Sequence, residues 1–171
     1  MTAMPRQPAG ELRAADAGKR VLLKGWVARR RDLGELIFLT IRDRSGLVQV
    51  VFDRARCPAL AVEAAAEARS EDVVAIEGEV LARGEAQRNR EMPTGDVEVL
   101  ATSLAFLARS DTPPFVIEDR TNATEELRLE YRYLDLRRPS LQKNFVLRDE
   151  IAFRCGRFST GGASSRSRHR C

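Results

Sequence analysis

Two side chains suited to recognising a nucleobase lie on neighbouring predicted strands. In the strand predicted at residues 36–43, Ile37 and Leu39 take the apolar face, which leaves Phe38 on the opposite face. In the strand predicted at residues 47–53, Gln49 lies on the face opposite the apolar residues that begin with Val48. An aromatic ring can stack on an unpaired base, and an amide can donate to and accept from a base edge. The pair predicts a surface that reads unpaired bases; the alternatives are a core phenylalanine and an ordinary exposed amide.

Charged side chains add to this predicted surface. Glu98 lies between Val97 and Val99, on the outer side of another predicted strand. An ionised carboxylate can only accept hydrogen bonds, which suits the amino group of cytidine. The arginines predicted to contact phosphates or base edges are Arg31, Arg29, Arg30 and Arg83. The alternative for the run of three is a solvated charged face, since basic and acidic residues nearly balance at 29 and 25.

The sequence offers no rival catalytic site. Its single histidine, His169, lies in the C-terminal tail, so Ser/His or Cys/His catalysis has no base in the predicted folded part. The cysteines Cys57, Cys155 and Cys171 lie far apart without metal-ligand spacing, which fits a reducing cytosol. No apolar run is long enough for a signal peptide or a membrane span. We predict a cytoplasmic protein with no catalytic residue, no metal, no bound cofactor and no membrane partner.

Five predicted strands and one helix must position the candidate side chains. The strand-rich segments are 21–28, 36–43, 47–53, 73–82 and 97–106, and the Ala- and Glu-rich segment 59–69 favours a helix. This order is that of the OB-fold, a five-stranded barrel that commonly binds oligonucleotides on its second and third strands. Other small barrels can be written from the same segments. We predict an all-β domain with one helix over residues 1–108.

The composition changes twice beyond this barrel. Consecutive prolines at 113 and 114 deny a sheet its backbone donors, so residues 109–140 are predicted to be a hinge, with a short helix at 125–133. An amphipathic pattern at 141–154 predicts the first helix of a second domain. Residues 155–171 are basic and poor in apolar side chains, which predicts a disordered tail.

Several segments from Gly10 to about Phe153, in one order and spacing, resemble the bacterial-type aspartyl-tRNA synthetases. These segments are residues 10–13, 25–32, 36–38, 42–43, 46–53, 94–100 and 131–139. Synthetases for asparagine and lysine share the barrel, but the Arg-Arg-Arg-Asp turn and the Tyr-Arg-Tyr-Leu-Asp-Leu-Arg-Arg-Pro hinge favour the aspartate branch. The resemblance implies an N-terminal anticodon-binding domain, a hinge and a remnant of a class II catalytic domain.

The resemblance also implies roles and partners. The partner is the anticodon loop of a tRNA, with Phe38 stacking on a base, Gln49 pairing with the central uridine and Glu98 accepting from cytidine. The full-length family enzymes are homodimers that attach aspartate to tRNA-Asp, or to both tRNA-Asp and tRNA-Asn, with ATP and Mg²⁺. The residues for that chemistry would lie beyond Cys171, so this chain is expected to be an inactive monomer on its own.

Two other functions fit the same residues. The first is a general single-stranded nucleic-acid-binding OB module, which equal affinity for unrelated hairpins would favour. The second is an aspartate–tRNA ligase that is active only when the missing domain is supplied. Pyrophosphate release with ATP, aspartate and tRNA would favour that function.

The resemblance ends near Arg154, and a frameshift would explain why. A DNA string built from synonymous codons for residues 154–171 can also be read in another frame. That reading encodes an apolar segment that resembles motif 1 of the family's catalytic domain. We expect a frameshift at or just before Arg154, with residues 155–171 out of frame. A natural basic tail, a pseudogene or a sequencing error are the alternatives. The gene sequence on both sides of the Arg154 codon separates them.

Overall fold

The computed structural model describes residues 6–161, with side-chain surroundings through Phe158. The chain divides into two compact units, Met1–Pro113 and Pro114–Cys171. Among the described residues, no helix is long and apolar enough to cross a membrane.

The first unit is a closed five-stranded barrel with one α-helix, which confirms the predicted fold class. Its elements are β1 (Arg20–Asp32), β2 (Leu36–Asp43), β3 (Gly46–Asp53), α1 (Ala59–Glu67), β4 (Val73–Ala82) and β5 (Val97–Ala108). The strands follow the order β1-β2-β3-β5-β4 around the barrel, and β3 pairs with β5 in parallel. The closing contact is short, with Val50 paired to Val99 and Val51 to Leu100.

Alternating apolar residues fill the barrel interior. The largest fully buried side chains are Phe52, Leu12, Leu23, Ile37, Leu39, Ile41, Ile76, Val27, Val48, Val50, Val74 and Val80. Each contributes roughly 1.5–3 kcal/mol through burial. The predicted alternation of β2 and of the first half of β3 is confirmed, because Ile37, Leu39, Val48 and Val50 all point inward. Side chains between these positions therefore lie on the outside.

Strand β1 bends to pair with two neighbours. It pairs with β4 up to Trp26 and with β2 from Trp26 onward. A Cβ atom at Gly25 would lie 2.4 Å from the carbonyl oxygen of Arg42, so the crossing requires glycine there. The strand was predicted to end at Ala28, and this boundary is wrong. Residues 29–32 continue the ladder with β2, and the turn is confined to residues 33–35.

A buried carboxylate ties the N-terminal segment to the barrel. Asp43 accepts hydrogen bonds from the backbone N–H of Ala9 at 2.9 Å and of Ser45 at 2.8 Å, and Arg6 lies 3.2 Å away. Burial acts to raise the pKa of Asp43, but the hydrogen bonds from Ser45, Ala9 and Arg6 outweigh it and lower the pKa below its ordinary value. The ionised carboxylate is therefore part of the fold.

The second unit contains three helices, α2 (Glu125–Glu130), α3 (Arg132–Asp135) and α4 (Pro139–Gly161), among the described residues. The hydroxyl of Thr124 caps α2 by accepting from the N–H of Leu127. Proline is favoured at the first position of a helix, and α4 starts at Pro139. The predicted helix boundary at Arg154 differs from the structure, in which α4 continues to Gly161. The rest of the predicted tail, residues 162–171, lies outside the described residues.

Candidate nucleic-acid interface

The register of β1, β2 and β3 sets four candidate side chains on one surface. Phe38 pairs with Arg31 on β1, and Thr40 pairs with Arg29 on β1 and with Gln49 on β3. Directly paired residues of an antiparallel ladder share a face, with Cβ atoms about 4.5–5.5 Å apart. We call this surface the outer face and define it by Arg29, Arg31, Phe38 and Gln49.

A β-bulge decides which arginines reach the outer face. The pairing shifts between Val27 and Arg29, so Ala28 is left without a partner on β2. The shift reverses the alternation and brings Arg29 and Arg31 to the side of Phe38. Both arginines are exposed, and neither forms a salt bridge within the described part of the chain. Their charges are therefore available to a phosphate.

The same bulge separates Arg30 from the other candidates. Arg30 pairs with the inward-facing Leu39, so its side chain leaves on the opposite side from Phe38. Its guanidinium donates to the carbonyl of Ala66 on α1 and lies 3.6 Å from Asp32. The structure does not bring Arg30 to the outer face.

Phe38 lies outside the core, as its alternation with Ile37 and Leu39 predicted. Both of these neighbours are fully buried, whereas Phe38 is partly exposed. Its cross-strand neighbour Val51 is buried, so the ring rests on a packed surface. A supported aromatic with one open side is suited to stack on an unpaired base.

Three polar candidates meet in a chain of contacts that we call the Gln49–Glu98–Arg83 cluster. The parallel pairing of Val50 with Val99 brings the preceding residues of β3 and β5 together. Gln49 Nε2 lies 3.4 Å from Glu98 Oε2, and Arg83 Nε lies 3.2 Å from the same oxygen. Because the carboxylate can only accept, it orients the amide nitrogen of Gln49 toward itself. The Oε1 atom of Gln49 is then left to accept from a ligand.

Arg83 is more deeply placed than its loop position suggested. Its side chain is only 4% exposed, while that of Glu98 is 22% exposed. Its Nη1 lies 3.5 Å from the carbonyl of Gln87, whereas neither its Nε nor its Nη2 forms a hydrogen bond with a described residue. Buried donors are normally satisfied, so this guanidinium is unusual: it supports Glu98 through its charge while two of its nitrogens form no hydrogen bond with a described residue.

Sequence reasoning missed Thr94 as a support for the cluster. Its hydroxyl donates to the carbonyl of Leu47 at 2.6 Å, and the residue is 1% exposed. This bond attaches the end of the β4–β5 loop to β3. Strand β5, which carries Glu98, begins shortly after it. Thr94 lay within a segment that carried the family resemblance, but nothing in its residue type indicated the contact.

Comparisons with known proteins agree with the fold. A family model described as "OB-fold nucleic acid binding domain" matches residues 21–107, about half of the chain. The chain belongs to this family. Its OB-fold domain spans the strands β1 to β5, and with them the outer face and the Gln49–Glu98–Arg83 cluster.

Curated relatives extend the match past the OB-fold domain. The aspartate–tRNA ligase of Oceanobacillus iheyensis is 52% identical over 145 residues, which is 85% of this chain and 24% of that protein. The aspartate–tRNA(Asp/Asn) ligase of Moorella thermoacetica is 55% identical over 139 residues, 81% of this chain and 23% of that protein. The chain spans about a quarter of the length of these relatives. The resemblance to bacterial aspartyl-tRNA synthetases is confirmed.

Solved structures share the fold. The asparaginyl-tRNA synthetase of Pyrococcus horikoshii matches with a TM-score of 0.77 and 27% identity, covering 92% of this chain and 34% of that one. The aspartyl-tRNA synthetase of Entamoeba histolytica matches with a TM-score of 0.83 at 21% identity, covering 94% of this chain and 38% of that one. The second likeness concerns the fold alone.

Proposed function

We propose that this chain binds the anticodon loop of a tRNA, as the anticodon-binding part of an aspartyl-tRNA synthetase. The observation that carries the proposal is the joint placement of a supported aromatic, a polarised amide–carboxylate pair and two unpaired arginines around β1, β2, β3 and β5. Proteins read single-stranded RNA with such sets, because unpaired bases expose both their rings and their Watson–Crick edges.

Each residue of the outer face and of the Gln49–Glu98–Arg83 cluster takes one part of the recognition. Phe38 stacks on a base, which contributes on the order of 1–3 kcal/mol and is indifferent to the base. Gln49 accepts the N3–H of the central uridine through Oε1, and the remaining hydrogen on Nε2 donates to a uridine carbonyl. Glu98 accepts from the amino group of cytidine, with Arg83 holding the carboxylate in place. Arg31 and Arg29 contact phosphates.

Arg30 and Arg83 take different parts from those first expected. Arg30 is directed to α1, so we assign it no contact with the bases. Arg83 is a positioning residue for Glu98, and we assign its buried Nη2 no contact with the bound base.

The whole protein's reaction is part of the proposal. We propose that the protein attaches aspartate to tRNA, as the names of its curated relatives suggest, and that the described residues contribute tRNA binding. The use of ATP and Mg²⁺ is what the family resemblance implies. We further propose that the 171-residue chain acts in the cytoplasm and is monomeric.

A titration of wild type and Gln49→Ala against anticodon hairpins tests the function. We expect wild type to prefer a hairpin with a G-U-C anticodon. Gln49→Ala should lose on the order of 1–3 kcal/mol against that hairpin and little against one whose uridine is already replaced. Equal losses against every hairpin would instead support a general single-strand-binding OB module.

A further inference from the structure

A second basic site lies on the opposite side of β1 from the outer face. It is a groove of about 450 Å³ where the end of α1 meets the ends of β1 and β5. It is lined by Arg30, Ala66, Glu67, Arg69, Asp72, Arg109 and Ser110. Arg30 connects the two sites, because it lies between Arg29 and Arg31 along the same strand and points the other way.

The floor of this groove is fixed by a fully buried carboxylate. Asp72 accepts from the backbone N–H of Arg69 at 2.9 Å and of Ser110 at 2.8 Å. Arg109 lies 3.4 Å from the same carboxylate and 3.0 Å from Glu67, and its guanidinium stacks 3.4 Å above the ring of Phe106. Asp72 is therefore held by two backbone donors and Arg109, and the exposed Glu67 pairs with the same arginine.

Among the lining residues, Arg69 carries a positive charge that has no ion-pair partner among the described residues. Its backbone is held by Asp72, but its exposed side chain has no hydrogen bond or ion pair with any described residue. With Arg30 held by Ala66 and Asp32, and Arg109 by Glu67 and Asp72, Arg69 is the uncompensated guanidinium of the lining. Because Asp72 is held by hydrogen bonds and Arg69 has no ion pair with a described residue, the groove offers one guanidinium to a single phosphate.

We propose that this groove, which we call the Arg69 groove, binds a phosphodiester of the RNA stem next to the bases held on the outer face. This inference rests on the proposed function. Arg29 and Arg31 contact the backbone of the loop, and a backbone that crosses β1 beside them continues past Arg30 toward the groove. Arg69 is the principal contact, while the hydroxyl of Ser110 in the same lining already donates to the carbonyl of Asp111 at 2.9 Å.

The test compares two RNA ligands with the full chain and its Arg69→Gln variant. The ligands are an anticodon hairpin with its stem and the isolated single-stranded loop sequence. We expect Arg69→Gln to bind the hairpin roughly fivefold to tenfold more weakly at about 0.1 M salt, and to lower the slope of log Kd against log salt by about 0.7 to 0.9. Binding of the single strand should not change.

The matched control is Arg20→Gln, an exposed arginine at the start of β1, which should leave both ligands unaffected. Unfolding midpoints for both variants check that the barrel is intact. Wild-type hairpin affinity in Arg69→Gln, or equal losses for hairpin and single strand, would overturn the stem contact. A loss confined to the hairpin supports it even if no anticodon preference is found, so the groove and the proposed function fail separately.

Discussion

Arg83 and Glu98 form an ion pair at the edge of the outer face, with Nε and Oε2 separated by 3.2 Å. The two residues differ in depth, since the arginine is almost entirely buried and the glutamate reaches the surface. Breaking a fully buried pair from one side costs about 3–5 kcal/mol, because the remaining charge stays buried without its partner. The pair therefore links the stability of the barrel to the base contact proposed for Glu98.

Glu98→Ala should destabilise the barrel by about 2–3 kcal/mol, less than for a fully buried pair because Glu98 is partly exposed. Urea unfolding measures this. Asp96→Ala, which removes the exposed partner of Arg88, is the matched control and should cost less than about 1 kcal/mol. In the double variant Arg83→Met/Glu98→Ala, the loss of stability should be smaller than the sum of the losses measured for Arg83→Met and Glu98→Ala singly. Strict additivity would contradict the coupling.

Phe38→Ala should weaken binding to every single-stranded loop by on the order of 1–3 kcal/mol, because stacking does not depend on the base. The stability of the barrel should change little, since the ring lies outside the core. Fluorescence titrations of cognate and substituted hairpins measure the effect. Phe145→Ala on α4 is the control, as another partly exposed phenylalanine away from the outer face. A loss for one hairpin only would assign Phe38 to base discrimination instead.

Arg31→Gln should flatten the salt dependence of hairpin binding by roughly 0.7 to 0.9 in the log–log slope, without changing the preference among anticodons. The reason is that a phosphate contact carries no sequence information. Arg44→Gln, at the exposed turn between β2 and β3, removes the same charge away from the outer face. An equal change of slope in both variants would mean that only net charge matters.

Asp43→Asn should make the chain less stable at neutral pH by about 1.5–3 kcal/mol, because it weakens hydrogen bonds made to an ionised carboxylate. The pKa of Asp43 is lowered from its ordinary value of 3.8 in the folded state. Its stabilisation is therefore complete above that value and is lost as the pH falls through the lower folded pKa. Wild type and variant should converge in acid, and denaturant unfolding across pH measures this. A constant difference down to the lowest pH would contradict it.

The sequence by itself determined the order of the strands and the faces of β2. Burial imposes a period of two on a strand with one face in a core, so Ile37, Leu39 and the intervening Phe38 could be placed without coordinates. The order of the strands along the chain followed from the same alternation and from the turns between segments. Local pattern is sufficient where each residue's environment depends mainly on its neighbours in sequence.

Only the tertiary structure decided which candidates meet. The bulge at Ala28 reverses the alternation of the arginine run, and no residue type at that position signals it. Gln49 and Glu98 are brought together by the parallel pairing of β3 with β5, which arises only when the barrel closes. Closure is a long-range event governed by strand stagger and packing, so the burial of Arg83 and the separation of Arg30 could not be deduced from periodicity.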